Sequence, residues 1–411
     1  MKKLFILLAL SISLLSNGQT GTTWAVTNAS SNNQWSSVTY GNGQFVAVST
    51  NGTANRVMTS PDGITWTGRT SAANNKWNAV AYGNGTFVAV AGEGAGNPNA
   101  NGNRVMTSSD GITWTSRMAS VNSSWTSVIY GNNLFVAVAS SGTGNRVMTS
   151  PDGITWTTRV SASDANWSSV TFANNLFVAV ATAGTNRVMT SPDGITWTSR
   201  TAVADKAWSS VTYGNNLFVA VAHDTGTTNT IMTSPDGVTW TATASPNTNP
   251  WNAVTFGNGL FVAVSDGSFT EKVMTSSDGT NWTDTLGFNR SWASITYGNG
   301  TFVAVGHNSI PTPSNVMYSG SMLAQDDFNK EKVLIYPNPA SDRLFIEIPS
   351  IATANNATAK MYDVEGRLVR EFRITNEHFS IDLNGLSSAL YILNVAYGDV
   401  NLTEKIIVST K

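Results

Sequence analysis

From Trp35 onward the chain repeats one hydropathy pattern seven times. Each copy opens on a tryptophan, as in "WSSVTYGNGQFVAV" at Trp35, with further openings at Trp77, Trp125, Trp167, Trp208, Trp251 and Trp292, spaced 41 to 48 residues apart. A unit holds four short runs. The first ends in Tyr or Phe before a pair such as Asn42-Gly43 or Asn132-Asn133, where both residues can take φ > 0, as a two-residue type I′ hairpin requires. The second, "FVAV", is apolar without alternation, so both of its faces must be covered. The third, "RVMTS", enters Ser60-Pro61-Asp62-Gly63, where proline presets one turn dihedral and glycine accepts a left-handed one. The fourth, "ITWT", leaves that turn. The pattern predicts a four-stranded antiparallel meander in every unit.

Covered four-stranded units of this length are the blades of a β-propeller, and the kelch and WD dipeptide signatures are absent. The expected fold class is all-β: a seven-bladed β-propeller over residues 19–319, a linker at 320–332 and a small β-sandwich at 333–411. Counting tryptophans refines the ring. Seven openings supply seven, and six "DG..W" tails supply Trp66, Trp114, Trp156, Trp197, Trp240 and Trp282. The seventh unit stops at its third run, "NVMYSGSM", and Trp24 in "GTTWAVTNAS" is the fourteenth. The N-terminal segment is therefore expected to pair beside "NVMYS", closing the ring with strands from both chain ends and removing two sheet edges that invite aggregation.

Composition then narrows the classes. Only 12% of residues are charged and the net charge is −2, which signals neither a nucleic-acid binder nor an acidic tail. The absence of cysteine excludes disulfides and thiolate metal sites, and three histidines argue against a His-rich centre, so neither metal nor cofactor is expected. The start, "MKKLFILLALSISLLSNGQT", reads as a secretory signal over residues 1–18, with cleavage near Gly18-Gln19. A membrane anchor is the alternative, but the apolar run is short for a bilayer span. A mature chain without a transmembrane span, its propeller monomeric, is expected outside the cytoplasm.

The tails "TSPDGITW", "TSSDGITW" and "TSPDGVTW" resemble the Asp-box, or bacterial neuraminidase repeat, of sialidase-like propellers. That motif typically reads S-x-D-x-G-x-T-W; here glycine follows aspartate directly, so the box is one residue shorter at Asp62, Asp110, Asp152, Asp193, Asp236 and Asp278. The resemblance implies structural turns rather than catalytic groups. A sialidase would need three arginines on the substrate carboxylate, a tyrosine nucleophile with its glutamate, and an acidic residue. Every propeller arginine except Arg290 sits at one of two repeated positions, so no irregular triad stands out. A glycoside hydrolase or polysaccharide lyase using loop carboxylates such as Glu93, Asp224, Asp266 or Glu271 stays open as the enzymatic alternative.

In an up-and-down meander the tight turns share one face of the disc and the variable loops share the other. Recognition is expected on the variable side. There Arg56, Arg104, Arg146 and Arg187 open the third strands of units one to four, and Arg69, Arg117, Arg159 and Arg200 end the fourth. Units five to seven carry Thr230 and Thr243, Lys272 and Thr285, and Asn315 and Thr27 instead. An arc of guanidinium groups suits carboxylated or sulfated glycans; packing of arginine stems between blades is the alternative. The opening tryptophans pose the same choice between sugar stacking and inter-blade core. His223 and His307 occupy equivalent loop positions, as solvated side chains or as members of a site. The long 92–103 insertion is a contact loop or decoration.

After a charged linker, "VLIYPNPASDRLFIEI", "AKMYDVEGRLVREFRI" and the closing alternating runs predict a small all-β domain. "YPNPASDRL", "YDVEGRLV", "IDLNGLSSALYILNV" and "EKIIV" resemble the C-terminal sorting domain of type IX (Por) secretion cargo, although Ser388-Ala389-Leu390 replaces a usual glycine. The resemblance implies passage of the outer membrane with the type IX machinery as partner, removal of the domain, and release or anchoring at the surface. An accessory adhesive sandwich is the alternative. The leading functional expectation is a secreted binding protein for polysaccharide, with a protein-interaction scaffold in a surface assembly as a further alternative.

Overall fold

The computed structural model describes residues 23–94, 103–266, 272–285, 287–288, 290–307, 315–319, 334–347, 357–374, 376, 378–397 and 400–409. Residues 1–18, expected to be a secretory signal, the expected linker 320–332, Glu271, most of the 92–103 loop and the side chains of Glu93 and His307 lie outside the described parts. The chain divides into two compact units at Ser321/Met322.

The first unit is a β-propeller of seven four-stranded antiparallel sheets. In unit one the strands are Trp35–Gly41, Gln44–Ser49, Val57–Ser60 and Thr67–Arg69, paired in chain order. The expected hairpin geometry is present: Asn42 has φ 48° and Gly43 74°, and where asparagine replaces glycine, Asn132 and Asn133 take 48° and 58°. First strands of neighbouring units lie side by side, so they line the axis and the three-residue fourth strands form the rim.

Ring closure follows the tryptophan count. Trp24–Thr27 pairs antiparallel with Val316–Ser319, with Trp24 opposite Ser319 and Thr27 opposite Val316. The seventh sheet is thus built from both ends of the propeller.

Apolar cores lie between blades. One cluster joins Val46, Val48 and Val57 of unit one to Trp77, Val80, Phe87, Met106 and Trp114 of unit two. The continuous "FVAV" strand is buried on both faces because one face serves each junction. Each such Phe or Val contributes about 1.5–3 kcal/mol relative to exposure. Close approach needs glycine at the end of the first strand. A Cβ at Gly83 would lie 2.1 Å from the Tyr130 ring, and at Gly41 2.2 Å from Tyr82.

The second unit packs a three-stranded sheet (Leu334–Tyr336, Arg343–Glu347, His378–Asp382) and a four-stranded one (Thr358–Tyr362, Leu368–Arg373, Ala389–Tyr397, Val400–Val408). Leu344, Ile346 and Ile381 of the first meet Ala359, Met361, Leu393, Val395 and Ile406 of the second in one core, a β-sandwich.

Candidate functional site: the arginine-bearing blade junctions

The sequence groups eight repeated arginines together; the structure separates them by what their nitrogens do. The four that open third strands are inward clamps. Arg56 donates from Nε to Gly52 O (2.8 Å) and from Nη1 to Thr50 O (3.0 Å) and Asn75 O (2.6 Å), tying its own loop to the segment before the next blade. Arg146 repeats this on Gly142, Ser140 and Ala165, and Arg187 on Gly184, Thr182 and Lys206. Arg104 reaches Ser123 O at 2.6 Å. Arg56 is 5% exposed, and burial pushes its pKa down. Backbone carbonyls take the Nε and Nη1 donors of Arg56, Arg146 and Arg187 and an Nη1 donor of Arg104, so these four have a structural role that ligand binding is not needed to explain. In units five to seven the same register holds Thr230, Lys272 and Asn315, all buried.

The four arginines that end fourth strands behave otherwise. Nε of Arg69, Arg117, Arg159 and Arg200 donates to Oγ1 of Thr59, Thr107, Thr149 and Thr190, at 2.9–3.0 Å. Their Nη groups make no further hydrogen bond among the described residues. Each is half-buried, its stem packed and its fork open.

These forks end the outermost strands, and the Arg159 fork lies across from the residues that follow the Asp193 turn of the next blade. Between units three and four, Thr158, Arg159, Val160 and Ser161 face Ile195, Thr196 and Trp197 across a groove of about 470 Å³. Val160 is 74% exposed and Ile195 41%, so the groove combines one cationic fork, three hydroxyls and an aliphatic wall. Ile112, Ile154 and Val238 are exposed at the Ile195 position of units two, three and five. At the closing junction the fork is replaced by Thr27, whose Oγ1 donates to Ile64 O at 2.9 Å.

The turn aspartates are engaged locally. In unit three Oδ1 of Asp152 accepts the amides of Ile154 (2.8 Å) and Thr155 (2.9 Å) and the Ser150 hydroxyl (2.9 Å). The amide of Thr113, then that of Ile112, holds the Asp110 carboxyl below the usual carboxylate range. At Asp62 burial acts the other way and is outweighed by the Thr65 and Ile64 amides. The amide of Asn281, then its side chain, holds Asp278 lowest. In each of the six boxes the tryptophan Nε1 donates to the box glycine's carbonyl, as Trp156 does to Gly153 O at 2.9 Å. The opening tryptophans are 0% exposed, leaving no face for a sugar ring.

Of the loop residues, Asp224 Oδ2 accepts the Ala207 amide at 2.8 Å. His223 Nε2 lies 3.7 Å from Asp266 Oδ2, and that contact raises the imidazole pKa. His223 and Asp266 each directly follow the residue that pairs with an opening tryptophan, so one register position on adjacent blades brings them together. Sequence reading paired His223 with His307 by position; the same alignment adds Asp266. The described residues hold no group of three or more potential metal ligands.

Residues 334–409 match the model of the secretion system C-terminal sorting domain. A tail of this class is carried by type IX cargo and marks the chain as a secreted or cell-surface protein. No curated protein matches the chain. Among solved structures it is similar to YCF48 bound to D1 peptide (TM-score 0.55, 13% identity, 74% of this chain and 98% of that one). It is also similar to the Cps50 (Swd1) β-propeller domain of Myceliophteria thermophila (TM-score 0.51, 11% identity, 72% and 99%). A third similarity is to the extracellular domain of the two-component system BT3049 from B. thetaiotaomicron (TM-score 0.52, 10% identity), where the chain matches over 95% of its length but spans only 58% of the other. At such identities the likeness is one of fold, and the fold is that of a β-propeller.

Proposed function

We propose that the protein is a binding propeller, exported through its N-terminal segment, carried across the outer membrane by its sorting domain, and released or held at the surface. Its ligand is an acidic polysaccharide. The observation that carries this reading is the set of forks at Arg69, Arg117, Arg159 and Arg200, fixed through Nε and open at Nη. A guanidinium fork takes carboxylate or sulfate bidentately, with a geometry that an ammonium lacks. We read the aspartate turns as a shortened Asp-box with a structural role, because each Oδ1 is occupied by its own turn.

The test is retention of the full-length secreted chain on acidic and neutral glycans at low and high salt. Acidic glycans should bind, and binding should weaken as salt screens exposed charge. Replacing all four rim arginines by alanine should reduce binding tenfold or more. Unchanged binding in that variant, or salt-insensitive binding to neutral glycans, would sink the reading. The sorting role is tested by deleting residues 333–411, which should trap the chain in the periplasm; normal secretion of the truncated chain would refute it.

A further inference from the structure

We infer, resting on the acidic-ligand reading, that the rim is a multivalent track: four equivalent grooves, one at each junction from unit one/two to unit four/five, engage a single polyanionic glycan chain at once. Three observations carry this. The forks occupy one register position in four consecutive blades, with the same anchoring bond to a threonine of the same strand pair. Arg159 shares its groove with the exposed Ile195 of the next blade, and Ile112, Ile154 and Val238 are exposed at the same register position of the blades that follow Arg69, Arg117 and Arg200. The series ends where threonine replaces the fork, at Thr243, Thr285 and Thr27.

Propeller geometry sets the spacing. Sheets packed face to face lie about 10 Å apart, so seven blades put the middle of each sheet about 11 Å from the axis. The fourth strand lies about 7 Å further out, at about 4.8 Å per strand, so neighbouring grooves are about 16 Å apart and the arc of four spans about 50 Å. A fragment shorter than one interval can fill one groove only. A chain longer than the arc can fill all four, and each engagement after the first is intramolecular. Linked sites of this kind raise affinity by about 10²–10⁴ without any new type of contact. The groove at Arg159, about 470 Å³, is of a size that holds a small ligand segment.

The experiment is titration calorimetry of the full chain with oligogalacturonates, carboxylated polymers, in two length classes: below about 16 Å and above about 50 Å. Short fragments should bind weakly with four per protein. Long chains should bind one per protein and at least about 100-fold more tightly. The double variant Arg117→Ala, Arg159→Ala removes the two central forks. It should lower short-fragment stoichiometry from four to two and lower long-chain affinity by about tenfold or more, with the fold retained and the melting temperature lowered by a few degrees, because two part-buried bonds to Thr107 and Thr149 are lost. Equal affinity of both length classes with one site each would overturn the track while leaving the acidic-ligand reading standing. Absence of binding of both classes by the full, folded chain would overturn both.

Discussion

Six blades are each folded from one continuous stretch, while the seventh is assembled from the two ends of the propeller, and the seam shows what continuity supplies. In the six, the aspartate turn precedes the outer tryptophan and its glycine carbonyl accepts the indole N–H. Ahead of Trp24 the sequence has Thr20 where the six boxes have aspartate, and the buried Nε1 of Trp24 has no partner among the described residues. A second link fails at the same seam. Ser36, Asn78, Thr126, Ser168, Ser209 and Asn252 each donate to the carbonyl of the next blade's opening tryptophan, at 2.5–2.8 Å. The seventh position is Ala293, which has no donor to offer. Packing at the seam is retained, since Trp24 clusters with Phe302, Trp292 and Leu260. Polar specificity there is what the discontinuous blade gives up.

The largest effect should come from removing residues 19–30, which exposes the edge of the seventh sheet and empties the Trp24 site. The melting temperature should fall by about 10 °C or more; an unchanged calorimetric trace would refute closure by this strand. Next, Trp24→Ala should cost about 3–5 kcal/mol, as for other buried tryptophans. The sharper comparison uses phenylalanine. Trp156→Phe loses the bond to Gly153 O and strands that carbonyl, whereas Trp24→Phe removes a donor that has no partner among the described residues. Trp24→Phe should therefore be milder by about 1–3 kcal/mol in urea denaturation, and equal losses would refute the seam's polar deficit.

Much of this architecture is legible in the chain because propeller repeats write each requirement seven times. Asn-Gly pairs announce the hairpins, "FVAV" announces burial on both faces, and the displaced Trp24 announces closure. The site is less legible for a physical reason. Arg56 and Arg69 are both repeated, both near strand ends and both cationic, and sequence spacing alone cannot say that one guanidinium turns to three backbone carbonyls while the other keeps its fork open. Only the loop path around Gly52 decides it. The pairing of His223 with Asp266 was within reach, since both directly follow second-strand residues of one register, but the loop lengths that differ between units obscure the alignment.

Acid should also separate the two kinds of blade. The six turn carboxyls have depressed pKa values in the folded state. Their contribution is therefore fully present above the unfolded value of about 3.9 and is lost as pH falls through the folded values. Melting temperature should begin to drop as pH falls below about 5, where the unfolded chain binds protons first, and should keep dropping until the depressed folded values are passed. Asp152→Asn, which keeps the Oδ1 acceptor without the titrating charge, should flatten that slope; a slope unchanged in the variant would assign acid sensitivity elsewhere. His223 carries the opposite sign: its pKa is raised by Asp266, so its contribution is present below about pH 6.5 and lost as pH rises through the folded value.

The smallest effect is a gain. Ala293 is half-buried and follows Trp292, as Ser36 follows Trp35 and Ser209 follows Trp208. At both serine positions the hydroxyl reaches the neighbouring tryptophan carbonyl, Ser36 to Trp77 O at 2.5 Å and Ser209 to Trp251 O at 2.6 Å. Ala293→Ser should supply the missing link to the Trp35 carbonyl and stabilise the fold by about 0.5–1.5 kcal/mol, the net worth of one intramolecular hydrogen bond. The control is Ser209→Ala, which should cost a similar amount at a junction that needs no closure. If Ala293→Ser gains nothing while Ser209→Ala loses stability, the seam's geometry rather than its missing hydroxyl sets the difference between the seventh blade and the other six.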